Sequence, residues 1–472
     1  MFERVLLTCA LASAAALAIG GASFGAIPSA RPAPADRKFN SSAVESLIAA
    51  FLPRFLDPDI GTMFSNCLPN TLDTAIVSAS HNDTFVITGD IPAMWLRDST
   101  NEVLPYMALA ADNADPALAD MLHGLVMRQA RSVLIDSYAN AYNIDANGNG
   151  HQDDKRKPPM TPAVFEGKFE TDSLAAVLKS SWAYFNATAD ASLLAEPDWL
   201  SAMEAIIDTL TVQQKSTAED GNDPAYTFDR AGSPPYPNAP ANRTGLTKCG
   251  FRPSDDNTAL PFLISANAMA AVELGHLADI AAGAAPGSRL AVIGARAAAL
   301  AATLRAAIEA LARHDVAGFG SIYAYEIDGF GGFSVADDSN IPSLLSLPYL
   351  GYVDSANPTY VATRKLLLSS TNPYYYVGSV ASGIGSPHTP AGYIWPMALS
   401  IQALTSTDDD EIATILTYLK RSALATGFMH ESFDKNDATH YTRPWFSWAN
   451  SVFAELIIKL AAERPHLIFT SA

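Results

Sequence analysis

An all-α fold is what this sequence predicts, and three observations predict it. Apolar residues recur at three- and four-residue spacing through most of the chain, as in Leu290, Ile293, Ala297 and Leu300. Strand-like runs are few and short, 84–87 and 321–325 being the clearest. Long loops dense in Gly, Pro, Asp, Asn and aromatics (139–165, 216–253, 328–340 and 370–391) alternate with shorter connections. Loops of that length inside a compact fold are usually functional, so about a dozen helices joined this way suit an α/α toroid with a site at one mouth.

The elements follow in order. Residues 1–22 read as a targeting segment: Arg4 precedes an uncharged apolar run over 5–22, and Gly21, Ala22, Ser23 and Ala26 offer cleavage sites. A signal peptide is expected there, with a signal anchor as the alternative. Residues 23–40, rich in Pro and Ala, read as a flexible leader. Helices are predicted over 43–52, 116–138, 172–185, 198–213, 259–281, 288–313, 359–368, 392–404, 409–424 and 444–462. Starts are marked by Asp115 before Pro116, Asp198 before Trp199, and Asp408 to Asp410 before Ile412. No composition break divides 41–472, which reads as one domain, and nothing after residue 22 is expected to span a bilayer. Cys67 and Cys249 either form one disulfide or stay two buried thiols. Sequons at Asn40, Asn82, Asn186 and Asn242 fit a secreted glycoprotein.

Composition narrows the function. The 472 residues are 49% hydrophobic and 17% charged, enough for a large core. A formal charge of −19 repels phosphate backbones, so no nucleic-acid partner is expected. No stable membrane partner is expected either, and a monomer is the simplest state. From residue 26 onward the sequence lacks a phosphate-binding Gly loop, H-E-x-x-H, a C-x-x-C pair and G-x-S-x-G. Asp145, Asn147, Asn149 and Asp153 imitate part of a calcium loop. Arg156 stands where that loop needs a bidentate Glu, so the stretch reads as a polar turn, and no metal or cofactor is expected.

What remains is carboxylates beside aromatics, the equipment of a sugar site. Hydroxyls suit Asp, Glu and Arg, and sugar C–H faces pack on Trp and Tyr. Glycosidic cleavage needs one carboxylic acid for the leaving oxygen and one carboxylate for water or the anomeric carbon. Four clusters offer them. Trp95-Leu96-Arg97-Asp98 puts a donor and an acceptor beside a Trp just before a helix expected near Ser99, although Asp98 could simply cap it. Phe165 to Ser173 brings Glu170 and Asp172 to another helix start, as ligand contacts or as acids favoured by the helix dipole. Arg252-Pro253-Ser254-Asp255-Asp256 sets two repelling acids beside an Arg, the setting that raises a carboxyl pKa for a general acid. Met429-His430-Glu431 sits in a loop among apolar residues, beside the aromatic helix start around Trp445, and Glu431 reads as a general base.

Taken together, these clusters resemble glycoside hydrolase family 125, the metal-independent exo-α-1,6-mannosidases, from about Pro53 to Glu463. Asp337-Asp338-Ser339-Asn340 and Gly392-Tyr393-Ile394-Trp395 also match, adding Asp337, Asn340 and Trp395 as expected sugar contacts. The resemblance implies an (α/α)6 barrel, a mannose-containing glycan substrate, and inversion by an Asp acid and a Glu base. Carried over, the acid falls within Asp255-Asp256, with Asp255 preferred, and the base on Glu431. Arg252, His430 and Trp445 would flank the sugar. One departure stands out: the family's Trp-Glu-Arg-Lys-Tyr-Glu is here Phe165-Glu166-Gly167-Lys168-Phe169-Glu170. A calcium-dependent α-1,2-mannosidase and a catalytically silent glycan-binding protein are the competing readings.

Overall fold

The computed structural model describes residues 26–470, so the targeting segment 1–22 lies outside the described residues. Its helices are α1 (Ser42–Phe51), α2 (Pro58–Cys67), α3 (Leu96–Met107), α4 (Pro116–Ile135), α5 (Thr171–Thr188), α6 (Pro197–Val212), the single turn α7 (Thr217–Asp220), α8 (Ile264–Ala281), α9 (Arg289–Leu311), α10 (Pro358–Leu367), α11 (Pro396–Leu404), α12 (Asp409–Ala423) and α13 (Ser447–Glu463). Of these, α2 and the single turn α7 were not foreseen, and the helix expected near Ser99 begins at Leu96.

Two rings alternate along the chain. Helices α3, α5, α8, α11 and α13 pack on one another as an inner ring, while α2, α4, α6, α9, α10 and α12 stand outside them. The sixth inner place is taken by the turn-rich segment 343–351, whose Tyr349 hydroxyl donates to Glu455 of α13 at 3.1 Å. The result is an (α/α)6 barrel. Burial follows position: α11 is buried at every residue, whereas α9 buries one stripe, including Ile293, Ala297, Leu300, Leu304 and Ile308. Contrary to the expectation for segments after residue 22, α9 is long and apolar enough to cross a membrane, at mean hydropathy 1.5, with 44% of that window buried here. Its buried stripe packs on α8.

Capping also differs between the rings, the outer α6 excepted, whose Glu196 makes no cap bond. The outer helices α2, α4, α9, α10 and α12 begin with Asp57, Asp115, Ser288, Asn357 and Asp408, each accepting a backbone N–H of its own first turn. The inner helices begin at Trp95, Glu170, Leu263, Trp395 and Phe446 with no side-chain cap. Asp198, expected as a cap, lies inside the first turn of α6 instead.

One core runs from Ile27 to Phe469. The leader is not flexible from residue 26 onward: the Ile27 N–H donates to Asp59 at 3.2 Å, and Arg31 pairs with Glu45 at 2.6 Å and Asp73 at 2.9 Å. Its Pro and Ala residues suggested a free linker, but one buried apolar side chain and one forked cation pin it. Cys67 and Cys249 are buried free thiols, which settles against the disulfide.

Candidate active site

The uncapped inner helix starts build the site. Met94–Trp95 pairs with Ala141–Tyr142, which pairs with Val164–Glu166, and this small sheet aligns Arg97, Asn140 and Glu170. Tyr393–Ile394 pairs with Phe433–Asp434, setting Trp395 beside the Glu431 loop. Asp255 sits in a turn closed by the Phe251–Asn257 bridge, with φ +64°. Left-handed backbone costs about 1–2 kcal/mol for a non-glycine residue, and Asp tolerates it better than most. Such strain is characteristic of functional turns.

These segments enclose a small cavity with about 360 Å³ of space between atoms, its open mouth included. Of the residues singled out in the sequence, Trp95, Arg97, Asp98, Asp255, Asn340, Trp395 and Glu431 line it. His388, Arg443, Phe446 and Trp448 line it too. Glu431 is nearly buried, with Arg443 Nε 3.6 Å from its carboxylate. The indole N–H groups of Trp95 and Trp448 and Arg97 Nε are buried without hydrogen-bond partners, and the Asp98 carboxyl faces the same cavity. They are donors and acceptors suited to sugar hydroxyls.

Other expected contacts lie elsewhere. Glu170 and Asp172 have fully enclosed side chains behind Arg97, whose guanidinium reaches them at 2.7 and 3.5 Å. They hold the clamp rather than line the pocket. Asp337 is buried, accepting the N–H groups of Leu344 and Leu345 at 2.8 and 2.9 Å, so it fixes the sixth inner segment. Arg252 pairs with Glu326 at 2.9 Å and lies over the Tyr325 ring. His430 is buried, donates to the Arg443 carbonyl at 2.7 Å and stacks on Tyr441, bracing the Glu431 loop. Trp445 covers Gly89, where an added Cβ would come within 2.8 Å of its ring. Asp256 lies outside the lining, 3.0 Å from Ser254 Oγ and 3.5 Å from His388 Nδ1. In each case a motif neighbour serves the fold of the site instead of facing its cavity.

Electrostatics sharpen the arrangement. Burial pushes Asp98 up to about 6, with Arg97 at 3.1 Å offsetting part of the effect. The Asp256 carboxylate raises His388 to about 9, so this residue is a cation at the pocket. Burial would raise Asp255, but Arg97 and Lys168 outweigh it and hold its carboxyl below the usual range. His388 and Arg443 are the residues that reading the sequence missed. Both lie in loops beside recognised motifs, and only loop density in aromatics and Pro hinted at them.

An aromatic pocket on an (α/α)6 barrel, with two acids contributed by separate loops, defines a glycoside hydrolase. The sequence profile of the metal-independent α-mannosidases matches residues 57–458, so the chain belongs to glycoside hydrolase family 125. It is 44% identical over 477 residues to the meiotically up-regulated gene 157 protein of Schizosaccharomyces pombe, covering 94% of this chain and 91% of that one. A metal-independent α-mannosidase of Streptococcus pneumoniae, solved in a non-productive complex with α-1,6-mannobiose, superposes with TM-score 0.84 at 37% identity, covering 90% of this chain and all of that one. A bacterial glucoamylase complexed with acarbose shares the fold alone, at TM-score 0.53 and 12% identity, over 84% of this chain and 55% of that one. The calcium-dependent and catalytically silent readings give way to the family match.

The departure at Gly167 has a structural answer. A Cβ there would fall 2.6 Å from Arg156 Nε. Arg156 donates to the carbonyls of Tyr138 and Gly167 at 3.1 and 3.3 Å and pairs with Asp136. A guanidinium from the 139–165 loop thus occupies the space beside position 167.

Proposed function

We propose that this pocket releases terminal α-1,6-linked mannose from glycans with inversion, Asp255 serving as general acid and Glu431 as general base. The observation that carries the reading is that these two carboxylates, 176 positions apart in the sequence, line one aromatic cavity while Asp256 does not. Asp255 protonates the leaving glycosidic oxygen. Glu431 takes a proton from water as its oxygen attacks the anomeric carbon. Arg97, Asp98 and the free indole N–H groups engage the hydroxyls of the terminal sugar, and Trp395, Phe446 and Trp448 supply its apolar walls. Inversion leaves room for that water, so the two carboxyls are expected about 6.5–9.5 Å apart around a bound sugar. The mannobiose complex of the Streptococcus pneumoniae relative supports the linkage.

Incubation with α-1,6-mannobiose, followed by NMR, tests this directly: β-mannose is expected first. Initial release of α-mannose, or no release of mannose, would overturn the reading. Export through the secretory pathway is part of the proposal, resting on the apolar run over 5–22 and on four sequon asparagines that are all exposed.

A further inference from the structure

Four carboxyls surround one guanidinium. Arg97 lies 3.1 Å from Asp98, 2.7 Å from Glu170, 3.5 Å from Asp172 and 3.4 Å from Asp255. Two of these carboxyls, Glu170 and Asp255, share both the Arg97 guanidinium and one amide. Asn140 Nδ2 bridges them, 3.2 Å from Glu170 and 3.0 Å from Asp255. Four carboxylates around one buried guanidinium repel one another, which favours a proton on one member of this adjoining pair. We propose that Glu170 is the positioning residue that keeps this proton for Asp255, an inference that rests on Asp255 being the general acid.

The geometry gives the pair two usable states. With the proton on Glu170, Asp255 is an anion facing Arg97, Lys168 and His388. With the proton on Asp255, the Glu170 carboxylate keeps Arg97 Nη1 at 2.7 Å and Ser173 Oγ at 2.7 Å. A bound sugar excludes water from Asp255, whose side chain is 21% exposed, but not from Glu170, which has no water to lose at 0%. Desolvation therefore favours the second state on substrate arrival. The anomeric C–O bond then breaks, its electron pair goes to the leaving oxygen, and that oxygen takes the Asp255 proton. Water supplies the new C–O bond and gives its proton to Glu431. The pair regains a proton from solvent through Asp255 once product leaves. Burial raises Glu170, with Arg97 opposing, in keeping with its proton-holding part. The remaining charges facing the pair are Asp98 and Asp172 from the helix starts and Glu166, which Asn140 and Lys168 hold at 3.1 and 3.2 Å.

Glu170→Gln tests this. The amide can keep the Arg97 and Ser173 bonds and donate to Asp255, but it carries no proton to transfer. The basic limb of kcat/KM on α-1,6-mannobiose is expected to move down by about one pH unit, with about tenfold loss at neutral pH. Dinitrophenyl α-mannoside, whose leaving group needs little protonation, should lose less than about threefold. An unmoved limb, or equal losses on both substrates, would overturn the pairing. Should Glu170→Gln fail to fold, Ser173→Ala removes one donor to the Glu170 carboxylate, so the pair holds its proton more tightly and the same limb is expected to move up, by less; no shift would again overturn it. Asp255→Asn separates the two claims. If that variant still cleaves mannobiose, the acid assignment falls and this inference with it. If it is inactive while the Glu170→Gln limb stays put, only the pairing falls.

Discussion

Replacing Glu431 by Gln removes a base while preserving shape, and the structure sets how large the effect should be. Loss of a general base typically costs 10²–10⁴ in rate, about 2.7–5.5 kcal/mol of barrier. The upper part of that range is expected here because no other carboxylate in the cavity is free to substitute. Asp98 is held by Arg97 at 3.1 Å, and Asp255 by Arg97 at 3.4 Å and Asn140 at 3.0 Å. Stability should barely change, since Arg443 keeps Asp90 at 3.6 Å after losing Glu431 at the same distance. Partly exposed pairs of this kind contribute about 0–1 kcal/mol. Turnover of α-1,6-mannobiose by NMR, binding by calorimetry and a thermal melt together make the assay. Turnover down by about 10³ or more with unchanged binding is the expected outcome. A loss below about tenfold, or a loss accompanied by a collapsed melt, would refute the assignment.

Three further outcomes follow from other parts of the molecule. Burial raises Asp98 and Asp172 to about 6 in the folded protein, above their unfolded value near 4, so the folded state binds more protons between those values and stability should fall as pH rises from about 4 to about 6. Asp255, held low, acts in the opposite sense only as pH drops below about 4; melts across pH 3–7 check both limbs. Gly167→Arg should destabilise by about 1–3 kcal/mol through collision with Arg156, as overpacking does. Pairing it with Arg156→Ala should restore the melt, and no rescue would show that the guanidinium does not fill that space. Secreted protein should begin after about Ala22 on N-terminal sequencing; an intact Met1 on the secreted protein would contradict cleavage.

What the sequence determined by itself was most of the outer ring, α2 excepted, and the chemistry. The starts of α4, α9, α10 and α12 were readable to within a residue or so, because Asp115, Ser288, Asn357 and Asp408 cap them and amphipathic spacing fixes the rest. Most inner helices began several residues from their predicted starts, α8 at Ile264 and α11 at Pro396, whereas α5 began within one. Their N-termini carry Trp, Glu, Leu or Phe instead of a cap, and full burial erases the polar face that marks a boundary. The site divides the same way. Motif composition brought Arg97, Asp98, Asp255 and Glu431 forward, since a sugar and its hydrolysis demand those groups. Only the tertiary structure decided which of them share a cavity. It turned Asp255 inward and left Asp256 at the rim, put Glu170 and Asp172 behind Arg97, spent Asp337 on a backbone turn, and added His388 and Arg443 from loops with no pattern of their own. A side chain's local sequence fixes its chemistry, but its direction depends on strand pairings and ring contacts between segments far apart in the chain.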